Sequence, residues 1–289
     1  MAGAVGQVLG GRYRLVQQIA VGSMGEVWRG YDEAGEREVA AKEIRPIHMN
    51  RSLPESLPDE MVAPIMDEAA ALSRLDHPGI AAPYDAVRCE GTLWIVTEFI
   101  PGPCLAEVVV AQGPLGWQRA AALGADLAHA LGYAHAAGVI HARFHPGNVL
   151  LAAGRTVITD FALSDFIRRQ WGGIDLVIDS KIDTRFVEAS RYVAPEQVQV
   201  GGPVRAPADL WALGATLYAA VEGCPPFPDA QLTSILYSIC YRPVPAPRHA
   251  GPMASILSSL MTRDPGQRPG APVAAELLHA VPATESGSS

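Results

Sequence analysis

The 289-residue chain lacks any uninterrupted apolar run near the roughly 18 residues that a membrane-crossing helix needs. Even its alanine-rich stretch, 120–139, is broken by Asp126, His129 and His135. Residues 1–11 lack a charged region followed by an apolar one, so no secretion signal is expected. Charge is sparse, at 18% of residues, and the balance is acidic, with a formal net charge of -8. Without a broad basic field, neither nucleic acid nor an anionic membrane is an expected partner. Four cysteines, Cys89, Cys104, Cys224 and Cys240, form no C-x-x-C pair. That spacing argues against a zinc site and a disulfide framework, and reduced, mostly buried thiols are expected. A cytoplasmic protein with no membrane span in this chain follows as the expectation. What the chain does have is apolar content, 49% of residues, enough to bury a core in one large domain or two lobes.

Short bursts of β-branched and aromatic residues at 12–16, 26–28 and 38–41 read as strands. Segments 83–87 and 92–99 flank Glu90-Gly91, a turn pair that predicts a hairpin closing a small antiparallel sheet. Between that hairpin and the third strand, residues 67–75 are apolar at helical spacing and follow Pro64. After Pro101-Gly102-Pro103 the pattern changes to longer helices, at 117–137, 208–222, 230–241 and 253–262. There is no internal repeat, and the only low-complexity tract is a short Ser/Gly tail.

Ile19-Ala20-Val21-Gly22-Ser23-Met24-Gly25-Glu26-Val27 lies between two predicted strands, where small residues let backbone amides approach phosphates. By itself the segment reads more readily as a plain turn. Val39-Ala40-Ala41-Lys42 follows on the next strand and Glu68 on the predicted helix, so a lysine could reach phosphates while a carboxylate holds it. Taken singly, each also reads as a solvated residue.

The pattern becomes specific at Val139-Ile140-His141-Ala142-Arg143-Phe144-His145-Pro146-Gly147-Asn148-Val149-Leu150-Leu151, with Thr159-Asp160-Phe161-Ala162 beyond it. Arg191-Tyr192-Val193-Ala194-Pro195-Glu196, Ala208-Asp209-Leu210-Trp211 and Arg263-Asp264-Pro265-Gly266-Gln267-Arg268-Pro269 follow in order. From about residue 12 to about 281 the chain resembles the protein kinases, and is similar to the serine/threonine kinases of actinobacteria. The resemblance implies an α+β, bilobal fold over 1–282, with an N-lobe of sheet plus one helix at about 11–100. A mainly helical C-lobe at about 101–282 and a flexible tail at 283–289 complete it. It also implies ATP and Mg2+ as cofactors, with Lys42 on the α- and β-phosphates, Glu68 as its partner, and Asn148 and Asp160 as metal ligands. Gly22 and Gly25 fall in the phosphate loop, Val27, Ala40 and Leu150 around adenine, and Glu98 and Ile100 on the hinge segment 97–100. Glu196 and Arg268 match a structural ion pair.

The departures cluster around the phosphates. Counting five back from Asn148, in a register that Pro146 fixes independently, puts Arg143 where the family has its catalytic aspartate. His145 stands at the phosphate-contacting lysine position, Ala142 replaces an arginine, and Ala20 and Ala162 replace glycines. An arginine cannot accept a hydroxyl proton, although it can bind phosphate. Loss of the base costs on the order of 10² to 10⁴ in rate. The expectation is a nucleotide-binding pseudokinase, a regulatory or docking module with a signalling-protein partner and weakened Mg2+ dependence. The alternatives are a slow serine/threonine kinase using His145 or a water as base, and a nucleotide-free module in which Arg143 pairs with Asp160. The segment 164–190, carrying Ser180, Thr184 and Ser190, is expected to be mobile and modified, if at all, by another kinase.

Overall fold

A computed structural model of the chain describes residues 3–22, 25–44, 72, 75–152, 154–161, 184–198 and 204–281. The described residues fall into two compact units. One holds the described residues up to His77, Ala81–Pro101 and 184–186; the other holds Pro78–Ile80, 102–161 and 187–281.

In the first unit, β1 (Val8–Leu9), β2 (Tyr13–Gly22), β3 (Gly25–Asp32), β4 (Arg37–Ile44), β5 (Pro83–Cys89) and β6 (Thr92–Glu98) form one sheet. Its order is β1-β2-β3-β4-β6-β5, and every adjacent pair is antiparallel. Glu90 and Gly91 both have positive φ, 51° and 80°, the conformation of a two-residue hairpin turn whose twist matches its strands. One face is apolar: Leu9, Tyr13, Leu15, Trp28, Val39, Ala41, Trp94 and Val96 pack as a buried cluster. Of the helix expected over 67–75, only Leu72 and Leu75 lie among the described residues.

In the second unit the elements run α1 (Leu105–Gln112), α2 (Trp117–Ala136), β7 (Val149–Ala152) and β8 (Arg155–Ile158), the last two an antiparallel pair. Further on come α3 (Thr184–Ser190), of which 184–186 belong to the first unit, then α4 (Pro195–Val198), α5 (Ala206–Glu222), α6 (Leu232–Tyr241), α7 (Ala254–Leu260) and α8 (Ala271–His279). The centre is α5, buried at every position from Ala208 to Val221. Pro207 sits in its first turn, and Gly223, left-handed at φ 76°, ends it by donating its N–H to Ala219. It packs against α2 and α7, while α8 packs on α2. At Gly124 of α2, a Cβ would lie 2.7 Å from Leu217 Cδ1, so a larger residue would force that leucine tip to move.

The helices expected at 117–137 and 208–222 match α2 and α5 to within two residues. The segment 253–262 is corrected: a 3₁₀ turn, Gly251–Met253, leads into the shorter α7. The cysteines are corrected too. None of the four is disulfide-bonded, but none is fully buried, and Cys224 is exposed. Cys104 is held near the surface because it caps α1, its Sγ accepting from Glu107 N–H while Glu107 Oε2 accepts from Cys104 N–H. No helix among the described residues is long and apolar enough to cross a membrane.

Candidate functional site

In the first unit the side-chain alternation of a strand sorts the expected residues by face. Val27, Lys42 and Ile95 are directly opposed across β3, β4 and β6, and Ala40, two residues before Lys42, opposes Thr97. All therefore lie on the face opposite the buried cluster that holds Val39 and Ala41. Gly22 and Gly25 close the β2–β3 ladder as a pair. Gly25 has φ 141°, and a Cβ there would sit 2.4 Å from the Glu43 carbonyl oxygen, so this backbone approach requires glycine. Glu98 ends β6, its N–H donating to Ala82 O at 2.8 Å, and Ile100 beyond it is buried. Ser23, Met24 and Glu68 lie outside the described residues.

The second unit brings Arg143, His145, Asn148, Leu150 and Asp160 together, and its organiser is a residue to which the sequence reading gave no role. Asp209, fully buried on α5, accepts from His141 N–H and Ala142 N–H at 2.8 Å each, and its Oδ2 lies 2.8 Å from His135 Nε2. A carboxylate in the otherwise apolar run 208–221 was the available signal, since such groups are rarely buried unpaired.

His141 is also fully buried. Its Nε2 lies 2.8 Å from Thr159 O, and its Nδ1 accepts from Arg143 N–H at 3.3 Å. One neutral tautomer, protonated at Nε2, satisfies both bonds. Burial, the largest influence, pulls its pKa below the ordinary histidine value, with Asp209 opposing. The ring is tilted 52° to that of Phe161, with centroids 4.8 Å apart, and meets Phe144 edge to face at 5.6 Å.

Asn148 Nδ2 donates to Arg143 O at 3.1 Å, which directs the amide oxygen away from that bond. Its own carbonyl accepts from Thr159 N–H, so the strand leading to Asp160 hangs on Asn148. Ala142 and Asp160 each hold φ 64°, a left-handed conformation uncommon outside glycine. Burial lowers the pKa of Arg143 while the Asp160 carboxylate raises it, and a guanidinium remains charged under both influences. Leu150, on β7, pairs with Val157 and bridges to Cys104.

His145 caps the 3₁₀ turn Pro146–Asn148, its Nδ1 accepting from Gly147 N–H at 3.1 Å. With that lone pair in use, the neutral ring carries its proton on Nε2 and presents a donor, not a base. The ring stands 6.2 Å from that of Tyr192. Gln197, unremarked in the sequence, is buried and bonds to Ala142 O. Further from the loop, Arg268 and Glu196 form a two-pronged ion pair at 2.6 and 2.8 Å.

Comparison with known proteins agrees with this architecture. Residues 13–280 match the protein kinase domain. The serine/threonine-protein kinase PknA of Mycobacterium tuberculosis is 32% identical over 279 residues, which cover 93% of this chain and 60% of that protein. RqkA of Deinococcus radiodurans, a DNA damage-responsive serine/threonine-protein kinase, is 34% identical over 282 residues, covering 91% and 38%. The serine/threonine-protein kinase PrkC of Bacillus subtilis is 28% identical over 273 residues, covering 91% and 39%. The chain thus spans about three-fifths or less of the length of these relatives. With a kinase-domain match over nearly its whole length and the antiparallel sheet and helical unit that go with it, the chain belongs to the protein kinase family.

Proposed function

We propose that this chain is a nucleotide-binding pseudokinase of the serine/threonine kinase family, acting as a regulatory or docking module for a signalling protein. The observation that carries the reading is the closed register of the catalytic loop. Asn148 reaches back five residues to the carbonyl of Arg143, so a cation occupies the place of the proton acceptor. Its neighbour His145 offers a donor there, which also disfavours it as a substitute base.

Nucleotide binding rests on the retained residues. Lys42, with Glu68, would hold the α- and β-phosphates. Val27, Ala40 and Leu150 would enclose adenine, and Glu98 and Ile100 would meet its edge. Asn148 and Asp160 supply the oxygen donors that suit a hard dication such as Mg2+, which would neutralise phosphate charge when bound. The Arg143 guanidinium in the field of Asp160 works against a second cation, so binding should depend on Mg2+ less than in an active kinase. We place the domain at 1–282, with its lobe boundary near Pro101, and the protein in the cytoplasm. A slow active kinase is the second reading, favoured by the retained Lys42, Asn148 and Asp160.

A thermal-shift titration with ATP, with and without Mg2+, tests the binding. A shift at millimolar ATP is expected. Absence of one would leave the nucleotide-free module standing. Transfer of radiolabelled phosphate at on the order of 1 to 100 s⁻¹ would overturn the pseudokinase reading.

A further inference from the structure

The backbone around Arg143 is tied on every side by buried side chains. Its N–H donates to His141 Nδ1 and its C=O accepts from Asn148 Nδ2. The preceding peptide is held at its carbonyl: Gln197 Nε2 donates to Ala142 O at 2.7 Å. Gln197 Oε1 in turn accepts from Ala194 N–H at 2.8 Å, so one amide side chain, 6% exposed, joins the 194–197 turn to the catalytic loop. The residue being held is Ala142, left-handed at φ 64° and buried, with its N–H on Asp209. A non-glycine residue keeps such a conformation only when its surroundings over-determine it. Here Asp209 fixes one end of Ala142 and Gln197 the other.

We propose that Gln197 is a positioning residue, a neutral clamp that sets the Ala142–Arg143 peptide and keeps the catalytic loop in place. The Gln197 and His141 contacts that hold this peptide are hydrogen bonds between uncharged groups inside the protein, and the methyl side chain of Ala142 offers nothing to a phosphate. The clamp regulates the site proposed above and takes its meaning from that reading, yet it is testable without nucleotide.

The test is residue-resolved amide hydrogen exchange on the ligand-free chain. Gln197→Leu keeps the volume and removes both bonds, and Gln197→Glu keeps the acceptor for Ala194 but loses the donor to Ala142. Both variants should speed exchange at Ala142 and Arg143 by about tenfold or more, the cost of leaving a buried carbonyl unpaired. Only Gln197→Leu should also speed exchange at Ala194. A packing role would leave Gln197→Leu close to wild type, and that result overturns the clamp. If Gln197→Leu fails to fold, Ala142→Gly combined with Gln197→Glu serves. Glycine holds φ 64° without strain, so the clamp predicts recovered protection at Arg143, and no recovery counts against it. Because no ligand is present, failure here is distinct from failure to bind ATP.

Discussion

Two arginines in the helical unit sit in opposite circumstances. Arg268 uses all five of its N–H donors, on Glu196, Thr262 O, Pro207 O and Arg263 O, and lies over the Trp211 ring at 5.3 Å. Arg143 has its backbone fixed just as thoroughly, but its guanidinium stands in the field of Asp160, a residue whose family role is to hold metal. One is a brace with its charge spent on structure. The other carries its charge at the position where the family has its catalytic aspartate. The lesson is that the scaffold of a catalytic loop and its reactive positions can change independently, because different atoms carry them: backbone amides and carbonyls the first, side-chain heads the second.

The comparison breaks most visibly at the brace. Arg268→Ala should cost about 3 kcal/mol or more in urea unfolding, because it leaves the Glu196 carboxylate and three carbonyls without their donor. A loss below about 1 kcal/mol would remove the contrast. Arg143→Ala keeps the backbone ties and should cost less in unfolding than Arg268→Ala. The same change should weaken ATP binding about tenfold, a charge-assisted contact's worth, and raise its Mg2+ dependence. Calorimetry showing affinity and metal dependence unchanged would sink the proposed role.

His141 sharpens the comparison through pH. Its pKa in the folded chain lies below the unfolded value of 6.5, so the unfolded chain binds the extra proton first. Its contribution is full above about pH 6.5 and is lost as pH falls, at up to about 1.4 kcal/mol per pH unit. Unfolding free energy should decline between pH 7 and 5, and His141→Gln should flatten that slope. An identical slope in both proteins would remove His141 as its source. Asp32, whose carboxyl Arg12 holds down at about 2, titrates lower and does not overlap this window. The smallest effect belongs to an exposed pair: Arg14→Ala breaks the contact with Glu33, both about half exposed, and should change stability by less than about 1 kcal/mol.

Strand positions were legible because period-2 alternation and the Glu90-Gly91 turn are local signals, and the long helices because their apolar period is local too. The register of Arg143 was legible by counting from Asn148 and Pro146. The short α1 and α8 and the two-residue β1 went unread, being too brief for a period to stand out. The donor character of His145 was also invisible, since it depends on which ring nitrogen Gly147 N–H meets.

By itself, then, the sequence determined the order of the family's motifs, the cation at the family's aspartate position and the small residues at the positions where the family meets phosphates. The tertiary structure decided which groups hold that cation in place. Asp209 meets Ala142 across 67 positions of chain and Gln197 meets it across 55. Such bonds join single polar side chains to backbone groups far away, leave no period or spacing in the sequence, and exist only once α5 and the 194–197 turn have packed against the loop.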